Sequence, residues 1–304
     1  MKRLIPAGAT EQYVTLDEGE IRVLVGGTAS DRPPLVLVHG GGVDNAGISW
    51  FSAFEAFGGE RRVVGVDLPG FGGSLGVEPV GGPDRMADVV VRAARQLGLQ
   101  RAVVAGVSMG GDVALNVALR HPDVAQALVL VAPGGLTGRA GPPGRQFVYG
   151  AAAALPDPLL GALARLMNRF TGPAMRAMMH DPDAFPREVA DEFLREARAP
   201  GAGMGYGRYN QATLGRVGMR NNLLPFVHRI SAPALFFHGA EDPLVSPDGS
   251  RRAAERMPNG RLVLVPETGH WAQLESPERF ETEVRAFLEE VDAAAGAAAA
   301  IVDN

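Results

Sequence analysis

The chain is 304 residues long, with 46% hydrophobic and 21% charged residues and a formal net charge of -5. That length holds one large core, or a core with an inserted subdomain. The acidic balance argues against a broad nucleic-acid footprint, and the absence of cysteine excludes disulfides, zinc–thiolate sites and thiol nucleophiles.

Residues 1–10 hold two basic residues but no apolar stretch of signal-peptide length. No uninterrupted apolar run reaches the ~18 residues of a membrane span. The expectation is a cytoplasmic protein with no membrane span. Tyr13–Leu16 and Ile21–Val25 alternate at period two, which predicts a pair of antiparallel edge strands. Leu35–Val38, Val63–Val66, Ala102–Ala105, Ala127–Val131, Ala234–Phe237 and Leu262–Val265 are continuously apolar or nearly so, as strands buried on both faces are. Helices are predicted near 46–57, 84–97, 110–120, 246–257 and 276–291. Alternation of strand and helix implies a mostly parallel sheet of about eight strands with helices on both faces.

From Gly134 to about Ile230 the strand rhythm stops. This stretch is rich in Ala, Leu, Met and Arg and is punctuated by Gly and Pro. A structureless loop that long is not expected inside a compact domain. The reading is a helical lid, residues 134–230, inserted into a core made of 1–133 and 231–304. Met167, Met175, Met178, Met179, Met204 and Met219 could line an adaptable apolar pocket or fill the lid's own core. The lid's apolar content could support a homodimer. The run 293–300 is alanine-rich and reads as a fraying helix end or disorder.

The chemistry concentrates at Gly106-Val107-Ser108-Met109-Gly110, between an apolar strand and a helix. G-x-S-x-G in that context places a serine nucleophile on a sharp turn. A nucleophilic serine needs a base, an orienter and donors for the oxyanion. His270, just past the Leu262–Val265 strand, is the candidate base. Asp242, in the loop after Ala234–Phe237, is the candidate acid, with Glu241 its competitor. Met109 and the loop His39-Gly40-Gly41-Gly42 offer the oxyanion N–H groups, with Gly41 preferred over Gly42. His39 shapes that loop, and Asp67–Ser74 reads as a turn-rich connection. No metal site and no cofactor are implied. The partner is a small-molecule substrate.

Taken together, His39–Gly42, Asp67–Gly72, Gly106–Gly111, Gly239–Asp242 and Gly269–Trp271 resemble the α/β-hydrolase fold superfamily over residues 12–290. The resemblance implies a hydrolase. Trp50-Phe51, Ser108–Gly111, Ala132–Leu136 and Gly269–Gln273 are similar to the meta-cleavage-product C–C bond hydrolases. That family carries asparagine before the nucleophile, where this chain has Val107. It also carries a lid arginine for the substrate carboxylate, at a register that here holds Phe193, with Arg187, Arg195 and Arg198 nearby. Val107 and Trp271, beside the nucleophile and the base, are the substrate-binding candidates. An anionic dienoate in an apolar pocket without a cation would be costly. The first expectation is therefore a carboxylesterase-like serine hydrolase of an ester, thioester or lactone with an apolar acyl group. C–C bond cleavage, or a non-hydrolytic role as lyase, cyclase or receptor, is the alternative.

Overall fold

A computed structural model describes residues 2–302, with side chains described for 2–296. Eight strands form one sheet: β1 (Ala9–Leu16), β2 (Gly19–Gly26), β3 (Leu35–Val38), β4 (Val63–Val66), β5 (Ala102–Val107), β6 (Ala125–Val131), β7 (Ala234–Gly239) and β8 (Gly260–Val265). The order across the sheet is β1-β2-β4-β3-β5-β6-β7-β8. Strands β3 to β8 run parallel; β1 and β2 form an antiparallel pair at one edge, and β2 runs antiparallel to β4.

Strands β3 to β7 read as apolar runs because each is covered on both faces. Successive side chains point to opposite faces. Val36, Val38, Val64, Val104, Leu128 and Phe236 therefore pack in one core, while Leu35, Leu37, Val63, Val103, Val129 and Phe237 pack in the other. The helices Pro83–Gln96 and Met109–Arg120 cover the first face; Ala53–Gly58 and the last helix cover the second. One expectation fails at β8. It is an edge strand, paired only with β7, and Leu264 is 40% exposed. The predicted helix over 46–57 is two short helices, Ala46–Ser49 and Ala53–Gly58. The chain breaks between them so that Trp50 can enter the core, 1% exposed, against Phe280.

Between β6 and β7 the chain leaves the sheet and forms five α-helices, Pro143–Ala153, Asp157–Asn168, Thr171–Ala177, Arg187–Ala197 and Met204–Thr213, and a 3-10 turn at Val227–Arg229. Pro142, Pro156 and Pro186 sit at the N-caps of three of them. Proline favours an extended residue before it and a helical start after it, so it sets where each helix begins. Of the methionines, Met175 and Met179 are buried in the second core, whereas Met167 lies on the outside, 58% exposed. The last helix, Pro277–Val302, runs beyond its predicted end at 291 and includes the alanine-rich run. The expectation for positions 297–300 falls outside the residues whose side chains are described.

Candidate active site

Ser108 occupies the N-cap of the helix Met109–Arg120 with φ 54° and ψ -116°. Such backbone in a non-glycine residue costs about 1–3 kcal/mol and persists only where its surroundings over-determine it. Here they do. The Ser108 N–H donates to Val131 O at 2.9 Å, and its carbonyl accepts from Gly111 N and Gly134 N at 3.0 and 2.8 Å. The flanking glycines leave the room: a Cβ on Gly106 would stand 2.1 Å from Gly110 O, and one on Gly110 2.3 Å from Val38 O. The serine is half-buried, and its hydroxyl has no hydrogen-bond partner among the described residues.

The loops after β7 and β8 bring Asp242 and His270 together. His270 Nδ1 lies 2.7 Å from Asp242 Oδ2. Asp242 Oδ1 accepts from the Leu244 and Val245 N–H groups at 2.8 and 2.9 Å. A second imidazole joins it: His238 Nε2 is 3.2 Å from Asp242 Oδ2 and 2.9 Å from Val245 O. Two acceptors around Nε2 require the proton there, leaving His238 Nδ1 to accept from Ser250 Oγ at 2.8 Å. Burial works to raise the Asp242 carboxyl. The hydrogen bonds from His238 and His270 and the His270 charge outweigh it and hold the carboxyl well below the usual range. Glu241 takes another partner, the Thr268 N–H at 3.1 Å. Sequence reasoning does not reveal the bond from His238 to Asp242; the four-residue spacing between them is the signal that could have found it.

The His270 loop is tied to the helical insertion. Its N–H donates to Met178 O at 2.8 Å. Glu275 accepts from Gly269 N at 3.1 Å and from His180 N at 2.8 Å.

The glycine loop after β3 is held from beneath. Gly40 N donates to Asp44 Oδ2 at 2.9 Å, and Ser49 Oγ donates to the same oxygen at 2.6 Å. Burial pushes the Asp44 carboxyl up to about 6. His39 Nε2 accepts from Leu68 N at 3.0 Å, so its proton sits on Nδ1, toward Gly40 O at 2.7 Å. His39 thus braces the loop. The N–H groups of Gly41, Gly42 and Met109 have no hydrogen-bond partner among the described residues. Tyr206, from the insertion, covers Gly41: a Cβ there would meet its ring at 2.3 Å, while Gly42 is open at φ 76°.

Beside His270 the wall is aromatic. Trp271 lies 5.5 Å from the His270 ring, 5.3 Å from Phe193 and 5.8 Å from Phe185, centroid to centroid. Phe193 is 3% exposed. Arg195 is committed to Glu192, with contacts of 2.6 Å to each oxygen, and Asn45 bonds the same carboxylate at 3.1 Å. Arg187 and Arg198 are exposed. Val107 is fully buried at the end of β5.

Behind Ser108, Asp112 is buried without a cation. Its carboxylate accepts from Tyr209 Oη at 2.9 Å, Asn221 Nδ2 at 2.5 Å and Asn116 Nδ2 at 3.1 Å. Burial, opposed by the Asn221 and Tyr209 hydrogen bonds, pushes this carboxyl up to about 7. A raised acid pKa favours folding while the group is protonated in the native state. That stability is fully present below the unfolded value of about 4 and is lost as pH rises through about 7. Wild type should therefore lose up to ~1.4 kcal/mol per pH unit across that window from this group. Asp112→Asn should lack this component of the slope. Urea unfolding at several pH values checks it; equal slopes in both proteins would dismiss the assignment.

The family model for the alpha/beta hydrolase fold matches residues 33–277. The chain is 32% identical over 311 residues to a 2-hydroxy-6-oxononadienedioate/2-hydroxy-6-oxononatrienedioate hydrolase from Burkholderia vietnamiensis, covering 92% of this chain and 96% of that one. It is 31% identical over 255 residues to the dihydrolipoyllysine-residue acetyltransferase component of the acetoin cleaving system from Pseudomonas putida, covering 84% of this chain but only 63% of that longer protein. Among solved structures, a thermophilic esterase from Thermogutta terrifontis superposes with a TM-score of 0.73 at 24% identity, covering 93% of this chain and 100% of that one.

Proposed function

This chain belongs to the alpha/beta hydrolase fold family and is a hydrolase; we propose that it cleaves esters, thioesters or lactones of apolar acyl groups through an acyl-enzyme on Ser108. The observation that carries this reading is the 2.7 Å bond between His270 Nδ1 and Asp242, in the same molecule as a strained, half-buried Ser108. With Nδ1 committed to the carboxylate, His270 Nε2 is the nitrogen that takes the Ser108 proton as the hydroxyl attacks the acyl carbonyl. The tetrahedral oxyanion draws on the N–H groups of Met109 and Gly41, with Gly42 as second choice; donors held ready and unpaired stabilise charge that appears only in the transition state. His270 then protonates the leaving group. Water, activated by the same imidazole, releases the acid and restores Ser108. The insertion acts as the lid, and Phe193, Phe185 and Trp271 favour an apolar acyl group beside the base.

A second reading, hydrolysis of a C–C bond in a dienoate acid, is favoured by the name of the Burkholderia relative. Against it stands Phe193 at the expected cation position, with Arg195 engaged by Glu192. A carboxylate beside that wall would be left without a partner. Initial rates on p-nitrophenyl butyrate and on a 2-hydroxy-6-oxo-dienoate separate the two. The expected outcome is ester turnover with kcat/KM on the dienoate lower by ~100-fold or more, the scale of one lost charged hydrogen bond. Fast dienoate cleavage with an inert ester would replace the first reading by the second.

A further inference from the structure

We propose that the outer face of the helices Pro143–Ala153 and Asp157–Asn168, with the residues that flank them, docks on an anionic lipid surface. The charge of the chain is divided unevenly. Residues 134–230 contain twelve arginines and seven carboxylates, a net of +5; the rest contains 17 basic and 27 acidic residues, a net of -10. Within 134–180 the asymmetry sharpens to five arginines against one carboxylate, Asp157. Asp157 is already taken by Arg208 at 2.7 Å, and Arg176 pairs with Asp183 at 3.3 Å. Among the described residues, Arg139, Arg145, Arg165 and Arg169 have no carboxylate within 4.0 Å, and all four are exposed.

Apolar side chains are interleaved with these arginines. Phe147, Val148, Leu159, Leu166, Met167 and Phe170 are 49% to 61% exposed. Both helices pack their inner sides on the helix Met204–Thr213, as Leu160 does on Gly207. The faces turned away carry the apolar and cationic groups. Together the two helices have the apolarity of a membrane span, but the chain bends by 118° between them. No single helix among the described residues is long and apolar enough to cross a membrane. Apolar side chains at about half exposure, mixed with unpaired arginines, fit a surface that is apolar below and anionic above, such as the boundary of a bilayer containing acidic lipids. The acidic remainder would be repelled by the same surface, which leaves this face as the one presented to it.

The inference does not depend on the reaction assigned to Ser108, so its test needs no turnover. Wild-type protein is sedimented with vesicles of phosphatidylcholine, with and without phosphatidylglycerol. Binding is expected only with phosphatidylglycerol and should fall as salt is added. Arg165→Ala and Arg169→Ala should each weaken partitioning roughly fivefold, and Phe147→Ser with Leu166→Ser should weaken it further, with unchanged far-UV circular dichroism and Tm. Equal binding to both vesicle types, or none to either, would overturn the proposal. So would light scattering that shows a wild-type dimer dissociated by these same substitutions, since the face would then belong to a second copy.

Discussion

Ser108→Ala is expected to lower kcat/KM on an ester by ~10⁴-fold or more while leaving the fold intact. The two halves of this expectation have separate physical grounds. In the proposed mechanism the hydroxyl is the attacking group, and its chain neighbours, Val107 and Met109, offer no nucleophile in its place. Residual activity would come only from binding and from the oxyanion donors. The fold should tolerate the change because Ser108 Oγ makes no hydrogen bond among the described residues, and the strained backbone is held by its own N–H and carbonyl. Alanine at φ 54° is strained much as serine is. Steady-state rates and a thermal melt check both halves. Activity within tenfold of wild type, at an unchanged Tm, would remove Ser108 from the mechanism.

Asp242→Asn should cost about as much, on the order of 10⁴-fold in kcat, whereas the neighbouring Glu241→Gln should change it less than ~3-fold. An asparagine at 242 can offer its amide N–H where the carboxylate accepted a proton, and this favours the wrong His270 tautomer. In the proposed mechanism it also loses the charge that would stabilise the imidazolium formed during attack. The same carboxylate binds His238 Nε2, so a stability loss should accompany the rate loss. Its sign follows from the direction of the shift. A depressed carboxyl contributes stability above its unfolded value of about 4, which is lost as pH falls through the lower native value. The variant should therefore be less stable than wild type at neutral pH and approach it in strong acid. If Glu241→Gln instead removes activity and Asp242→Asn does not, the acid has been misassigned.

Much of the fold was legible because local pattern and burial agree. The runs Leu35–Val38 and Ala102–Val107 are apolar at every position since both faces of the sheet are covered. The turn at Ser108 was legible because an elbow demands small neighbours, and a Cβ on Gly106 or Gly110 would overlap other backbone. β8 misled for a related reason: its apolar run resembles a central strand, but edge position is a property of sheet order, not of the strand's own residues.

The alternation of strand and helix, the turn at Ser108 and the chain order of serine, acid loop and His270 are written in the residues themselves, because each depends on residue type at short range. The packing of two loops settles the choice between the adjacent carboxylates, turning Asp242 to the imidazole and Glu241 to Thr268. Tertiary packing also set Tyr206 over Gly41 and closed the Asp112–Tyr209–Asn221 network. These contacts join residues far apart in the chain. Their geometry is fixed by how the helical insertion lies on the sheet, and that docking leaves no periodic mark in the sequence.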